Sequence, residues 1–349
     1  MMSCCSAAAT KINLDWLKQN SGQLFNNPDL IRERNQMLQN LPVASCEDTC
    51  WKAERSGLPS RRTLSGSDKE THMDTKANPE VLHITLGSDC NLTCSYCCKQ
   101  YSTSWIRDIA THGPYLPDER FTINNNDKLV LQLGQKAIKE SDTYKFIMSE
   151  LKYFKGVKRI EITGGEPFLY NGLVDLVVEF TNIYNASVDI FTGLGVNNQR
   201  LANILRKLPS STTFTVSAEN TGKFYEFNRY GNTWDNFRKN LDLIQQFDYK
   251  FCTVISNLTI HDYYNFKKML GTPKDIKNIC TDPEYLSPNV LDPVSKNNIY
   301  ADTEINLAIQ AQVDPHTRSK AGIYIKEFAN RRNLDLTIFP DNFVNWLNG

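Results

Sequence analysis

A chain of 349 residues in which 39 Lys and Arg balance 39 Asp and Glu carries no net charge, which argues against a general nucleic-acid binder that gains affinity by neutralising phosphates. With 40% hydrophobic residues it has apolar material for one large domain plus a small one, or for two medium ones. No stretch approaches the roughly 18 apolar residues of a membrane span. The Met1-Met2-Ser3-Cys4-Cys5 start lacks the charged and apolar regions of a secretion signal, and ten cysteines without such a signal point to a reducing, cytoplasmic compartment.

In chain order, residues 1–62 form the first expected unit. Ser6-Ala7-Ala8-Ala9-Thr10 reads as a flexible start. Asn27-Pro28 predicts a helix start, with proline in the first turn where its missing N–H costs nothing. Leu30, Ile31, Met37 and Leu38 then mark one face as far as Pro42, and Cys46, Cys50 and Trp51 follow, with Glu54, Gly57, Ser60 and Arg61 behind them. Residues 63–79 are polar and without apolar periodicity, the pattern of a linker.

Val81 to Leu86 predicts a strand that runs into Cys90-Asn91-Leu92-Thr93-Cys94-Ser95-Tyr96-Cys97. Clusters of the 4Fe-4S type are ordinarily held by four thiolates, so three thiols at this spacing wrap three corners and leave the fourth iron open. Structural zinc sites favour paired Cys-x2-Cys units, a different spacing, although the adjacent Cys98 would supply a fourth thiol.

Helices and strands then alternate. Phe146, Ile147, Leu151 and Phe154 form a helical stripe, and Val157 to Thr163 a strand ending in Gly164-Gly165-Glu166-Pro167. Leu173, Leu176, Val177 and Phe180 mark the next helix and Ser187 to Thr192 the next strand, followed by Thr192-Gly193-Leu194-Gly195. Further helix stripes fall at Leu201 to Leu208, Trp234 to Ile244 and Tyr263 to Leu270, with strands at Thr212 to Ser217 and Lys250 to Ser256. Cys252, inside the last strand, is expected as a buried small hydrophobe. Pro283, Pro288 and Pro293 break the chain before helical stripes at Ile305 to Ile309 and Ile323 to Phe328, which together read as a wrapping tail.

Strands and helices of these lengths in alternation predict parallel strands joined by crossover helices. Spacing alone fits an open doubly wound sheet as well as a barrel. At Gly164-Gly165-Glu166, two glycines permit close approach of a ligand to the backbone, and the carboxylate suits an ammonium group. His83 and His316 are candidate acid–base groups, but a lone histidine is more often structural or solvent-facing.

The cysteine loop, with aromatic Tyr96 before its last cysteine, and the Gly164-Gly165-Glu166-Pro167 turn resemble the signature and GGEP motifs of radical S-adenosylmethionine (radical SAM) enzymes. The resemblance implies an α/β fold: a partial (β/α)6 TIM-like barrel over residues 80–272, preceded by a small N-terminal cysteine-containing domain and followed by a C-terminal extension, 273–349, packed on the barrel. It implies that Cys90, Cys94 and Cys97 hold a 4Fe-4S cluster, that Tyr96 stands beside it, and that Gly164, Gly165 and Glu166 hold the methionine amino group of S-adenosylmethionine. By the same resemblance Ser217 contacts the cofactor's ribose or carboxylate and Arg229 reaches its carboxylate. Where relatives often carry Thr-Asn-Gly, this chain has Thr192-Gly193.

The N-terminal unit resembles a twitch domain, a shortened relative of the SPASM domain, as found ahead of the barrel in phage and marine bacterial radical SAM proteins. That implies an auxiliary 4Fe-4S cluster on Cys4, Cys5, Cys46 and Cys50. The usual Cys-x2-Pro-Trp element is missing and the Cys46/Cys50 pair is spaced by three residues, so a metal-free twitch or a small zinc site stays open. The implied activity is reductive cleavage of S-adenosylmethionine to a 5'-deoxyadenosyl radical that abstracts hydrogen from a substrate, as an expectation a peptide or protein side chain. Its electrons would come from a donor such as flavodoxin or ferredoxin. A small-molecule or nucleoside substrate, and a non-catalytic metal-binding protein, are the alternatives.

Overall fold

The computed structural model describes residues 12–55, 63, 78–133, 142–271, 275–298 and 303–348. Cys4, Cys5 and most of the expected linker lie outside the described residues. The chain divides into two compact units, one of residues 1–81 with 141–158 and one of residues 82–140 with 159–349.

In the first unit Asn27 caps the helix Pro28–Leu38, its side-chain oxygen accepting from the Leu30 N–H at 3.2 Å, and Pro28 occupies the first turn as its position in the sequence predicts. A single π-helical turn, Glu47–Trp51, follows, and Cys46 and Cys50 are buried together in one apolar cluster with Met37 and Trp51. The helix Asp142–Leu151 also groups with this unit. Beyond its end, Phe154 meets Phe25 edge-on at 4.8 Å between centroids, and the buried Glu150 accepts from the Gly22 N–H at 2.6 Å. The Phe146, Leu151 and Phe154 stripe thus finds its aromatic partner in the N-terminal unit.

The second unit is a six-stranded parallel sheet curled into a partial (β/α)6 barrel, in the order β1-β3-β4-β5-β7-β8. Its strands are β1 (Val81–Thr85), β3 (Arg159–Thr163), β4 (Ser187–Thr192), β5 (Thr212–Ser217), β7 (Tyr249–Ile255) and β8 (Asp275–Ile279). Between them β2 (Thr93–Cys94) and β6 (Arg229–Tyr230) form a separate antiparallel ribbon. Because side chains alternate along a strand, the sheet has two unlike faces. Ile160 and Ile162, Val188 and Ile190, Phe214 and Val216, and Phe251 and Ile255 are all buried on one of them. The connections cover this face: Phe168 of the 3-10 turn Pro167–Leu169 lies 5.9 Å from Phe214, and Phe266 of the helix Tyr263–Leu270 lies 5.2 Å from Phe251. Burying each such ring stabilises the unit by about 1.5–3 kcal/mol.

The opposite face is polar. His83 Nδ1 lies 3.3 Å from Glu161 and its Nε2 lies 2.8 Å from the Thr163 hydroxyl. The buried Asp189 accepts from Thr215 at 2.9 Å and from Lys250 at 3.0 Å. Cys252 shares this face: it is half-buried and its sulfur accepts from the Asn278 amide at 3.1 Å, so it is not the buried hydrophobe its strand position suggests. The sixth strand, β8, falls in the stretch read as the start of the C-terminal extension.

The remaining residues build a second core around Trp105, Tyr115, Phe121 and Phe227, joined by Tyr324 and Phe328 of the helix Pro315–Arg331 and by Phe343 of the helix Asp341–Asn348. Ser102 caps another helix, Thr103–His112, which the sequence reading did not identify. Among the described residues no helix is long and apolar enough to cross a membrane.

Candidate active site

The cysteine loop leaves β1 at its C-terminal end and is fastened along its length. The Cys90 carbonyl accepts from the hydroxyls of Thr103 at 3.2 Å and Ser104 at 2.8 Å, and the Asn91 amide donates to the Gly195 carbonyl at 2.6 Å. Trp105 donates its indole N–H to the Cys94 carbonyl at 3.1 Å. Ser95 is held from two sides: its N–H and hydroxyl bond Asn228 at 2.8 and 2.7 Å, and its carbonyl accepts from the phenol of buried Tyr324. Arg332 donates from Nε to the Thr93 hydroxyl at 3.0 Å and from Nη1 to Tyr115 at 2.7 Å. A segment more than two hundred residues downstream therefore secures the loop.

The three thiols share this loop and lie close enough to interact electrostatically, Cys94 acting on Cys90 and both acting on Cys97. Burial pushes the Cys90 thiol up to about 12, with neighbouring Cys94 adding to the effect. Burial likewise pushes Cys94 up to about 11, against the pull of Arg229. Donors that face sulfur include the Leu92 N–H at 3.4 Å from Cys90 Sγ and Arg229 Nη1 at 3.9 Å from Cys94 Sγ. Three thiols in a fastened loop, with N–H groups aimed at two of them, fit a cluster bound through three thiolates.

The Gly164-Gly165-Glu166 turn follows β3 and lies against the start of the cysteine loop. Gly165 N–H donates to the Gly87 carbonyl at 2.9 Å and Glu166 N–H to the Asp89 carbonyl at 2.8 Å. A Cβ on Gly164, whose φ is +134°, would fall 2.7 Å from the Gly87 carbonyl oxygen, and one on Gly165 2.2 Å from that of Asp89. Ligand access is the expectation at these glycines, but both sites are filled by the chain's own backbone. What they permit is close packing of the two turns.

The Glu166 carboxylate is buried, not beside exposed backbone. It accepts from the Thr192 hydroxyl at 2.7 Å, the Phe168 N–H at 3.2 Å and the Gly193 N–H at 3.0 Å. Its pKa is raised, because burial outweighs these three bonds and a fourth to the Gly195 backbone. Thr192-Gly193 thus supplies a hydroxyl and an amide to this carboxylate.

At the end of β5, Ser217 is half-buried and precedes fully buried Ala218, Glu219 and Asn220. Glu219 takes Arg229 in a two-pronged ion pair, from Nε at 3.1 Å and from Nη2 at 2.9 Å, and the Tyr96 phenol at 3.0 Å to both oxygens. Sequence reasoning gave roles to Tyr96 and Arg229 and none to Glu219, which joins them. The available signal was an acidic residue two positions after a strand-ending serine. It also missed Thr103, Trp105, Tyr324 and Arg332, which act on the loop across long sequence separations. Cys46 and Cys50 lie in the first unit, packed with Met37 and Trp51.

Residues 84–275, more than half of the chain, match the model of the Radical SAM superfamily. No curated protein matches the chain in sequence. Among solved structures, TYW1 with a lysine-pyruvate adduct bound is 16% identical over 53% of this chain and 61% of its own, with a TM-score of 0.30. SuiB of Streptococcus suis bound to the precursor peptide SuiA is 16% identical over 74% of this chain and 48% of its own, with a TM-score of 0.34. The same protein bound to S-adenosylmethionine is 15% identical at a TM-score of 0.35, with 49% of its length covered. The chain thus spans less than two thirds of either protein, and likenesses of this size say nothing of its substrate.

Proposed function

The chain belongs to the radical SAM superfamily, and from that premise we propose that Cys90, Cys94 and Cys97 hold a 4Fe-4S cluster whose open iron receives S-adenosylmethionine. The supporting observation is the joining of the cysteine loop to the Gly164-Gly165-Glu166 turn by backbone hydrogen bonds at the C-terminal ends of β1 and β3. In barrels this end carries the chemistry. Held by Cys90, Cys94, Cys97 and Glu166 and supplied with one electron, the cluster and S-adenosylmethionine would supply reductive cleavage of the sulfonium C–S bond, releasing methionine, and hydrogen-atom abstraction from the substrate to give 5'-deoxyadenosine.

The protein's own part is binding, orientation and exclusion of water. Glu166 meets the cofactor ammonium, Ser217 the ribose or carboxylate, and Tyr96 stands against the cluster. The substrate enters above the polar barrel face of His83, Glu161, Asp189 and Lys250, a surface suited to a polar group such as a peptide or protein side chain. A flavodoxin or ferredoxin delivers the electron in the cytoplasm. Anaerobically reconstituted protein with dithionite should release 5'-deoxyadenosine, detected by mass, and Cys94→Ala should not; wild-type protein that binds zinc and releases none would defeat the proposal.

For the N-terminal unit we propose a twitch-like role, with Cys46 and Cys50 completed by Cys4 and Cys5 around an auxiliary 4Fe-4S cluster. In its favour, both thiols are buried in one cluster at a single turn. Iron analysis should find about eight atoms per chain, falling to about four in a Cys46→Ala/Cys50→Ala variant, at four per cubane. Four in the wild type would leave the unit without an auxiliary cluster.

A further inference from the structure

The register between β2 and β6 pairs Cys94 directly with Arg229. Opposed residues of an antiparallel pair project to the same face, so this arginine reaches its position through backbone pairing. Arg229 is 3% exposed and Glu219 wholly buried. Two nitrogens of the guanidinium, Nε and Nη2 along one edge, are committed to the Glu219 oxygens, and the third, Nη1, lies 3.9 Å from Cys94 Sγ. Tyr96 completes the arrangement: its phenol donates to the same carboxylate at 3.0 Å, while its ring centroid stands 5.6 Å from the guanidinium carbon. Arginine is thereby held on one side by an anion and presented on the other to a thiol.

We propose that Arg229 is a positioning residue for the cluster: fixed by Glu219, it donates to the Cys94 sulfur and sets how readily the cluster accepts an electron. This rests on the cluster reading above and departs from the role that resemblance implies for Arg229, contact with the cofactor carboxylate. Reduction adds one electron from a low-potential donor and changes no bond. The pair is neutral overall, with its positive end toward Cys94, and so favours the reduced state. Hydrogen bonds to cluster sulfur are a recognised control of potential.

The two partners predict opposite effects. Arg229→Gln leaves a buried carboxylate near the cluster and disfavours the added electron; Glu219→Gln leaves an uncompensated cation and favours it. General loosening of the loop would move both variants the same way. The test is a redox titration with dithionite, followed by electron paramagnetic resonance on anaerobically reconstituted protein without S-adenosylmethionine. We expect Arg229→Gln to shift the reduction equilibrium down by about tenfold and Glu219→Gln up by a similar factor, each about 59 mV for a one-electron couple.

Wild-type protein grown with 15N-arginine provides a readout that needs no buried substitution. The reduced cluster should show a nitrogen hyperfine coupling, and Arg229→Lys, which keeps the charge, should abolish it. No coupling in the wild type, or shifts of one sign in both Gln variants, overturns the inference. Unchanged potentials with a more than tenfold loss of S-adenosylmethionine affinity in Arg229→Gln return Arg229 to the cofactor carboxylate. Absence of any iron–sulfur signal in the wild type instead defeats the cluster reading itself, so the two failures are distinguishable.

Discussion

Replacing Glu166 by Gln removes a charge and preserves shape, and the structure predicts different outcomes for folding and for cofactor affinity. The carboxylate accepts from Thr192 and Phe168 on one oxygen and from Gly193 on the other. A glutamine oxygen can keep the first two, but its amide then faces the Gly193 N–H and leaves that donor unpaired, at a cost of about 1–3 kcal/mol. Against this, burial raises the Glu166 pKa, so the charged form is held at a net cost near neutral pH and its removal returns part of the loss. Thermal unfolding of the metal-free variant should therefore lie close to wild type. Cofactor binding has no such compensation: a charge-assisted contact to the ammonium is worth about 1.5–3 kcal/mol, which weakens the dissociation constant by about 10- to 150-fold. Equilibrium dialysis of the cluster-loaded protein measures it. The same pKa sets the pH dependence, since a raised carboxyl binds its proton above the usual range and wild-type affinity should begin to fall before a free glutamate would titrate. An affinity within twofold of wild type in Glu166→Gln would refute the reasoning and make this carboxylate a structural cap.

Tyr324→Phe removes the donor to the Ser95 carbonyl inside the cysteine loop and should cost about 1–3 kcal/mol in unfolding free energy; a chelator should strip iron from it faster than from wild type, and equal rates would deny the clamp a role in holding the loop. His261, whose Nε2 is buried and has no hydrogen-bond partner among the described residues and whose ring lies 4.7 Å from that of Phe343, has its pKa lowered from 6.5 to about 4 by burial. Unfolded chains take this proton below 6.5 and the native protein does not, so stability should fall by about 3 kcal/mol as pH drops from 6.5 toward 4. Denaturant titrations should show His261→Gln losing that slope. Asp189→Asn should weaken the barrel by about 1–3 kcal/mol, because Lys250 then loses the anion that balances it; unchanged unfolding midpoints would mean solvent already screens the pair.

Five of the six barrel strands were legible because each is a short β-prone run, and β3, β4, β5 and β7 each have a helix stripe of period 3.6 behind them. The strand β8 was not, since no such run marks Asp275–Ile279. The cysteine loop stood out in the sequence for a different reason: the proposed ligand spacing is local, carried within eight consecutive residues. Glu166 was located, yet its surroundings were misjudged, because its donors come from Thr192 and Gly193, which are 26 and 27 residues away. His83 reads as a lone histidine in sequence. Only the pairing of β1 with β3 brings Glu161 and Thr163 to its two ring nitrogens, 78 and 80 positions along the chain.

The division is a physical one. Which atoms can bind a cluster is written in neighbouring residues, whereas charge and hydrogen bonding around those atoms depend on strand register and on distant helices. Arg229 reaches Cys94 across 135 residues and Tyr324 reaches Ser95 across 229. On the proposed cluster reading, a sequence can keep every cysteine of the loop and still differ in how easily that cluster is reduced, if Glu219, Arg229 or Tyr324 changes. In this chain Tyr96 lies between Cys94 and Cys97 in sequence while its phenol is bound to Glu219. A motif aromatic is thereby tied to the same carboxylate as the arginine, and the cysteine loop and the donor facing Cys94 meet at one buried group.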